Sequence, residues 1–394
     1  MLTQRQLFLS HLAQTSPIPL GLEIVRAEGC YLYDNEGKKY LDLISGISVS
    51  NIGHRHPKII NAIKDQVDKY LHLMVYGEYI QAPQVAFSKL LTDNLPSSLD
   101  CVYFTNSGTE ATEGAMKLAK RSTGRSEIIG CINSYHGSTQ GALSIAGDEW
   151  FKNAFRPLIP GTRQIRFNNF DDIELISANT AAVFIEPIQG EAGAILPKQG
   201  YLDSIRNRCS EVGALLVFDE IQTAFGRTGM LFNFQQHNII PDILLLGKAL
   251  GGGMPLGAFI SSNSLMTNLT NNPVLGHITT FGGHPVCCAA GKAALEVLIE
   301  SDLISQVPEK ENLFRKQLIH PGIRAIHGQG MLLAVELEDF DIVQKVIQYC
   351  ISNGLITDWF LFNDKCIRIA PPLTISKEEI EWACSIIKKA LDQI

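Results

Sequence analysis

Six short apolar runs punctuate the middle of the chain: CVYFT (101–105), EIIGCI (127–132), AAVFIE (181–186), ALLVFD (214–219), DILLLG (242–247) and LGAFIS (256–261). They are rich in Val, Ile and Leu and lack polar alternation. Strands covered by helices on both faces have this pattern, so a mainly parallel α/β sheet is predicted from about residue 58 onward. The first fifty residues differ. LEIVRA, CYLYD and KYLDLI are extended pieces separated by Glu28-Gly29 and Asn35-Glu36-Gly37, which predicts a small antiparallel meander. After a long helical stretch beginning near Pro285, HPGIRAIHGQG (320–330) carries a proline and several glycines and reads as a boundary. Beyond it come MLLAVELE, a helix ending near Gly354, LITDWFLF, CIRIAPPL and a last helix. Ser376 and Glu379 make a capping box for that helix, ahead of apolar Ile380, Ala383, Ile387, Ala390 and Leu391 at helical spacing. The expected organisation is an N-terminal segment 1–57, a large domain 58–319 and a C-terminal segment 320–394, the outer two building a smaller α+β domain.

Composition narrows the class. With 394 residues, 45% hydrophobic and 19% charged, the chain is globular and exceeds one typical core. Its net charge of −7 argues against a nucleic-acid partner and leaves small-molecule chemistry as the expectation. The nine cysteines form an odd set with no C-x-x-C pair, and several fall inside apolar runs, as reduced core cysteines of a cytoplasmic protein do. MLTQRQLFLSHLAQTSPIPLG lacks the features of a cleaved leader, and no segment reaches about eighteen uninterrupted apolar residues, so neither secretion nor membrane spanning is expected.

Four polar features fall just past the C-terminal ends of apolar runs, where open α/β sheets bind ligands. TNSGTEATEGAMKLAKR (105–121) turns through Ser107-Gly108-Thr109 into a helix with apolar Ala111, Ala115, Leu118 and Ala119. Free backbone N–H groups and the helix dipole suit a phosphate there, although an ordinary N-cap turn reads the same way. The stretch is neither a Walker A motif nor a G-x-G-x-x-G fingerprint, which disfavours nucleotide binding. Asp219 closes ALLVFD with no obvious cation nearby in sequence. A ligand carrying a protonated ring nitrogen would satisfy it, and a helix-capping role is the alternative. Glu186 closes AAVFIE, with Gln189 and Glu191 close behind. Lys248 follows DILLLG, where a lysine snorkels, pairs, or serves as a nucleophile with a depressed pKa. Phosphate anchor, ring-nitrogen carboxylate and nucleophilic lysine on one sheet edge are the set that pyridoxal 5′-phosphate needs.

The chain also resembles the class-III aminotransferases of pyridoxal-phosphate fold type I, the group containing acetylornithine, ornithine and 4-aminobutyrate aminotransferases. The resemblance runs nearly end to end. Its motifs are EGKKYLDLISGISVSNIGHRHP (36–57), TNSGTEATEGAMKLAKR, SYHGST (134–139), IEPIQGEAG (185–193), VFDEIQTAFGRTG (217–229), GKALGGGMPLGAF (247–259), TTFGGHP (279–285) and IRIAPPL (367–373). The resemblance implies Lys248 as the Schiff-base lysine, Asp219 as the partner of the ring nitrogen, and Gln222 beside the ring hydroxyl. Ser107, Gly108 and Thr109 would hold the phosphate, and Tyr135 would stack on the ring, with His136 also in the cofactor site. Glu186 would support them from behind. Thr280 would reach the phosphate of a second subunit, which implies a homodimer with shared active sites. Glu191 and Arg368 resemble the family's gate, in which the Glu pairs with the Arg until a substrate α-carboxylate takes its place. The implied reaction moves an amino group to a 2-oxo acid such as 2-oxoglutarate or pyruvate, and the cofactor passes through its pyridoxamine form. No residue is assigned to a metal.

Departures from the family pattern bear on the substrate. Relatives acting on ornithine, acetylornithine and 4-aminobutyrate carry an arginine for the donor's distal carboxylate where this chain has Ser138. Ornithine aminotransferases have a tyrosine where it has Ile47. A serine hydroxyl cannot replace a bidentate guanidinium–carboxylate pair, so the expected donor is an ω-amino acid or amine. Tyr76, Tyr79 and Thr279 are the further residues expected to meet it, the tyrosines from a partner subunit. Acetylornithine aminotransferase proper and a same-fold aminomutase needing no external acceptor are the alternatives.

Overall fold

A computed structural model describes residues 2–394. Strands β1 (Ile24–Glu28), β2 (Tyr31–Asp34) and β3 (Lys39–Asp42) form the antiparallel meander that their turn residues predict. The central sheet follows with β4 (Cys101–Thr105), β5 (Glu127–Cys131), β6 (Thr162–Ile165), β7 (Thr180–Ile185), β8 (Leu215–Asp219), β9 (Ile243–Leu246) and β10 (Gly257–Ser261). Its spatial order is β4-β10-β9-β8-β7-β5-β6. Strands β6, β5, β7, β8 and β9 are parallel, and β10 runs antiparallel to both β4 and β9. Strand β4 therefore points the same way as β9, and its end emerges on the same edge of the sheet.

The unbroken apolar runs are explained by burial on both faces. Phe184, Val217 and Leu245 pack with Ala111, Ala115 and Leu118 of the helix Gly108–Thr123. Their chain neighbours Val183, Leu216, Phe218, Leu244 and Leu246 belong to the opposite layer, with Ile205 of the helix Tyr201–Val212 and Leu295 of the helix Pro285–Glu300. This is the mixed α/β architecture that the runs predict. The sheet's seventh strand, β6, is absent from them because TRQI lies at the sheet edge and only Ile165 of it is fully buried.

The last third of the chain builds a second antiparallel sheet. Its strands are β11 (Ala325–Gln329), β12 (Leu332–Glu336), β14 (Trp359–Phe360) and β15 (Asn363–Ile369), in the spatial order β11-β12-β15-β14. Between them, β13 (Leu355–Ile356) leaves this sheet to pair in parallel with β3. Strand β11 lies inside the 320–330 stretch that its proline and glycines mark as a boundary. The stretch is half strand, and its glycines serve the hairpin into β12. The final helix, Lys377–Leu391, starts at Ser376 with the capping box as predicted.

One buried cation stitches these parts together behind the sheet edge. Arg227 is fully buried and donates to the carbonyls of Met331 and Pro371 and to the side-chain oxygens of Ser45 and Asn51. Burial pushes its guanidinium down to about 9, since carbonyls and amides surround it and no carboxylate touches it. All nine cysteines are free thiols. Among the described residues, no helix is long and apolar enough to cross a membrane.

Candidate active site

Strands β4, β7, β8 and β9 end on one edge of the central sheet and deliver Ser107, Glu186, Asp219 and Lys248 to a cavity of about 280 Å³. Gly108, Thr109, Tyr135, His136, Ser138 and Gln222 also line it. The structure thus brings together all ten of the residues predicted for the cofactor except Thr280, and adds Ser138.

At one side the helix Gly108–Thr123 begins, capped by Ser107 Oγ, which accepts from the Glu110 N–H at 3.4 Å. The N–H groups of its first turn have no partner within the helix, which makes the entry an anion site. Two glycines let the backbone close in there. A Cβ on Gly108 would stand 2.6 Å from Ile221 Cδ1, and one on Gly137, at φ +128, 2.2 Å from Thr109 Oγ1. Thr109 is fixed in turn by a 2.7 Å contact with Thr139 Oγ1.

Across the cavity, Asp219 is only 4% exposed. Its lack of a neighbouring cation in sequence is corrected by the fold, which brings His136 from 83 residues away to donate from Nδ1 to Oδ2 at 2.7 Å. Oδ1 accepts from the Ile221 N–H at 3.0 Å. Burial disfavours the His136 charge, but the hydrogen bond and charge of Asp219 outweigh it and move the imidazole upward. His136 Nε2 is buried and has no hydrogen-bond partner. Glu186 accepts from the N–H groups of Tyr135 (3.2 Å) and Gly190 (3.1 Å), which ties the Tyr135 loop to the end of β7. Burial raises its carboxyl to about 8, against the lowering pull of His136 and the two N–H donors.

Lys248 opens a short 3-10 turn at φ +48, in the left-handed region. Strain of this kind in a non-glycine residue clusters at functional sites. Burial lowers the pKa of its amine; Glu191 pulls upward and Arg368 downward. The leucine run before it is therefore a buried strand, and the lysine does not snorkel.

Next to the cavity, Arg368 on β15 is 1% exposed and grips Glu191 with both Nη atoms, at 3.1 and 3.0 Å. Gln222 links this pair to the cavity through a 3.5 Å contact with Glu191 Oε1. Burial would raise the Glu191 pKa, and the Arg368 charge outweighs it, so the group stays below its ordinary value. Sequence reasoning missed Asp358, whose Oδ1 accepts from Arg368 Nε at 2.8 Å. A lone charged residue inside the mostly apolar LITDWFLF was the available signal.

The remaining predicted residues lie elsewhere in the chain. Tyr76, Tyr79 and Thr279 line a second cavity, of about 490 Å³, beside edge strand β4. Thr279 Oγ1 accepts from Asn106 Nδ2 at 3.1 Å. Thr280 is exposed and lines neither cavity. Ile47 is half-buried in a run of left-handed residues, Ser45–Ser48, away from Lys248's cavity.

An anion-binding helix start, a buried carboxylate and a lysine of depressed pKa on one sheet edge suit the phosphate, the ring nitrogen and the carbonyl of pyridoxal 5′-phosphate, and the fold is that of type I pyridoxal-phosphate enzymes. Comparison with known proteins narrows this class. The family profile "Aminotransferase class-III" matches residues 12–391. The acetylornithine aminotransferase of Clostridium acetobutylicum is 38% identical over 379 residues, covering 93% of this chain and 95% of that protein. An ornithine aminotransferase structure from Toxoplasma gondii, with pyridoxal phosphate at partial occupancy in its active site, superposes with a TM-score of 0.90 at 31% identity, covering 98% of this chain and 93% of that one. An (S)-enantioselective omega-transaminase from Thermomicrobium roseum gives a TM-score of 0.91 at 28% identity, with 98% and 97% covered. The chain belongs to the class-III aminotransferases, enzymes that use pyridoxal phosphate to pass an amino group from a donor to a keto acid.

Proposed function

We propose that this transaminase takes its amino group from an amine or ω-amino acid and delivers it to a 2-oxo acid such as 2-oxoglutarate or pyruvate. The observation that carries this reading is an intact Glu191–Arg368 pair beside a cavity where Ser138 occupies the rim. Bound pyridoxal phosphate supplies a carbonyl carbon that accepts the amino group and a ring that withdraws electrons from it. Ser107, Gly108 and Thr109 would hold its phosphate at the helix start. Asp219, oriented by His136 and the Ile221 N–H, would present its carboxylate to the ring nitrogen. Lys248 would hold the cofactor's carbonyl carbon and, when free, its amine would carry the proton lost by the donor carbon across to the cofactor. Tyr135, its backbone held by Glu186, would cover the ring, and Gln222 would meet the ring hydroxyl. Arg368 receives the α-carboxylate of the 2-oxo acid when Glu191 gives way.

Ser138 is exposed, and its Oγ lies 3.1 Å from the Tyr135 hydroxyl. Two hydroxyls offer a distal carboxylate no charge. Thr280, outside this chain's own cavity, together with Tyr76 and Tyr79 beside the β4 edge, supports a homodimer in which each copy completes the other's site.

A donor panel tests the substrate assignment. With 2-oxoglutarate or pyruvate as acceptor, amines or ω-amino acids are expected to exceed N-acetylornithine in kcat/KM by about tenfold or more. Efficient turnover of N-acetylornithine, or amino exchange without any 2-oxo acid, would count against this reading. Ser138→Arg is expected to lower KM for donors with a distal carboxylate by about tenfold, the lower end for a charge-assisted hydrogen bond at an exposed position. An unchanged KM would place the distal end of the donor elsewhere.

A further inference from the structure

Arg368 meets two carboxylates, and they occupy different edges of its guanidinium. Nη1 and Nη2 face Glu191 in a paired fork at 3.1 and 3.0 Å. Nε donates to Asp358 Oδ1 at 2.8 Å. Nη2 also donates to the Trp359 carbonyl at 3.2 Å, and the Phe360 ring centroid lies 4.2 Å from the guanidinium carbon. One edge of the group is therefore held by Glu191 alone, and the remainder by three consecutive residues, 358–360.

The two carboxylates are mounted differently. Asp358 sits in the hairpin that carries Arg368, and the Arg368 N–H donates to the Asp358 carbonyl at 2.8 Å, so a cross-strand bond fixes their separation. Glu191 comes from a separate loop after β7 and touches Gln222, which lines the Lys248 cavity. The edge held by Glu191 is thus the one on the side of the reacting centre. The hairpin also registers that loop: the N–H groups of Leu361 and Phe362 donate to Glu191 Oε2 at 3.2 Å and to its carbonyl at 3.0 Å.

A buried guanidinium that lost its only carboxylate during exchange would be an uncompensated charge, a strongly unfavourable state. Asp358 removes that problem. We propose that Asp358 is a positioning residue for the acceptor: it anchors the Nε edge of Arg368 and balances its charge while Glu191 and the substrate carboxylate exchange on the other edge. The inference rests on the reading of Arg368 as the carboxylate site. Substrates with an α-carboxylate depend on Asp358, and a carboxylate-free amine does not engage the edge that Asp358 orients.

The test uses holoenzyme of the wild type and of Asp358→Asn, Asp358→Ala, Asp358→Glu and Arg368→Gln. KM for the 2-oxo acid and the calorimetric Kd for propionate, a monocarboxylate that cannot react, report on the carboxylate site. The rate at which a carboxylate-free primary amine bleaches the cofactor's visible absorbance reports on the rest of the machinery. Asp358→Ala is expected to raise both carboxylate constants by about tenfold or more, as misplacement of a binding group does, while the amine rate moves by less than about threefold. Asp358→Asn should fall between, and Asp358→Glu should recover most of the affinity. If Arg368→Gln weakens propionate and both Asp358→Asn and Asp358→Ala leave it within about twofold, the proposal is wrong and the Arg368 reading stands. If Arg368→Gln also changes neither constant, the underlying reading fails and takes the proposal with it. A parallel fall in both substrate classes with a lowered Tm would assign Asp358 a purely structural role and equally overturn the proposal.

Discussion

Lys248→Ala is expected to abolish the visible absorbance of the lysine-bound cofactor and to lower kcat by about 10⁴-fold or more, since on the proposed assignment one change removes both the covalent anchor and the proton carrier. The structure says why the loss should be chemical. The lysine lines the cavity between Asp219 and the Glu191–Arg368 pair, and no carboxylate hydrogen-bonds its amine among the described residues. Truncating it breaks no ion pair. Burial lowers the pKa of this amine, so removing it relieves a desolvation penalty and gives no reason for the fold to suffer. Lys248→Arg is the informative companion: the charge stays, the nucleophile goes, and activity should be equally lost. A small primary amine added to Lys248→Ala should restore part of the rate by standing in for the missing base. A variant that keeps the absorbance and turns over within about tenfold of wild type would overturn the assignment of the lysine.

Residues that end apolar runs were readable before the fold was known because burial leaves a simple trace. Leu244, Leu245 and Leu246 are all fully buried, so the run needs no polar alternation, and the first charged residue after it stands at the sheet edge. Glu186 and Asp219 are marked the same way. Partners that meet across the chain leave no such trace. The His136–Asp219 hydrogen bond joins residues 83 positions apart, and nothing local to either predicts it. Arg227 lies in a motif that was noticed for its resemblance alone; its four-way attachment to Ser45, Asn51, Met331 and Pro371 exists only in three dimensions. The extended reading of LITDWFLF is split by the fold, since Leu355–Ile356 joins β3 while Trp359–Phe360 turns back along β15. Two-residue strands are too short for periodicity to separate, and the break falls beside Asp358, where the chain serves Arg368.

The second large effect falls on Asp219. Asp219→Asn keeps the size of the side chain and its acceptor toward the Ile221 N–H, and deletes the charge proposed to face the ring nitrogen. A kcat lower by about 10²–10³-fold is expected, the usual cost of removing one preorganised electrostatic group. A purely structural role would also lower activity, so the deciding readout is His136. In the wild type its pKa is held upward by Asp219 against the opposing pull of burial. With asparagine in place, only the Glu186 charge still opposes burial, and the imidazole should titrate lower than in the wild type, as followed by NMR of the ring protons. The sign carries into stability. A histidine raised above its unfolded value contributes stability that is fully present below the unfolded pKa and is lost as pH rises through the folded one. The stability gap between wild type and Asp219→Asn, measured by denaturant, should therefore be widest in mild acid and narrow in mild alkali. A gap independent of pH, with an unmoved His136 titration, would mean that the pair at 2.7 Å does not couple the two charges. The loss of rate would then have to come from the ring-nitrogen contact alone.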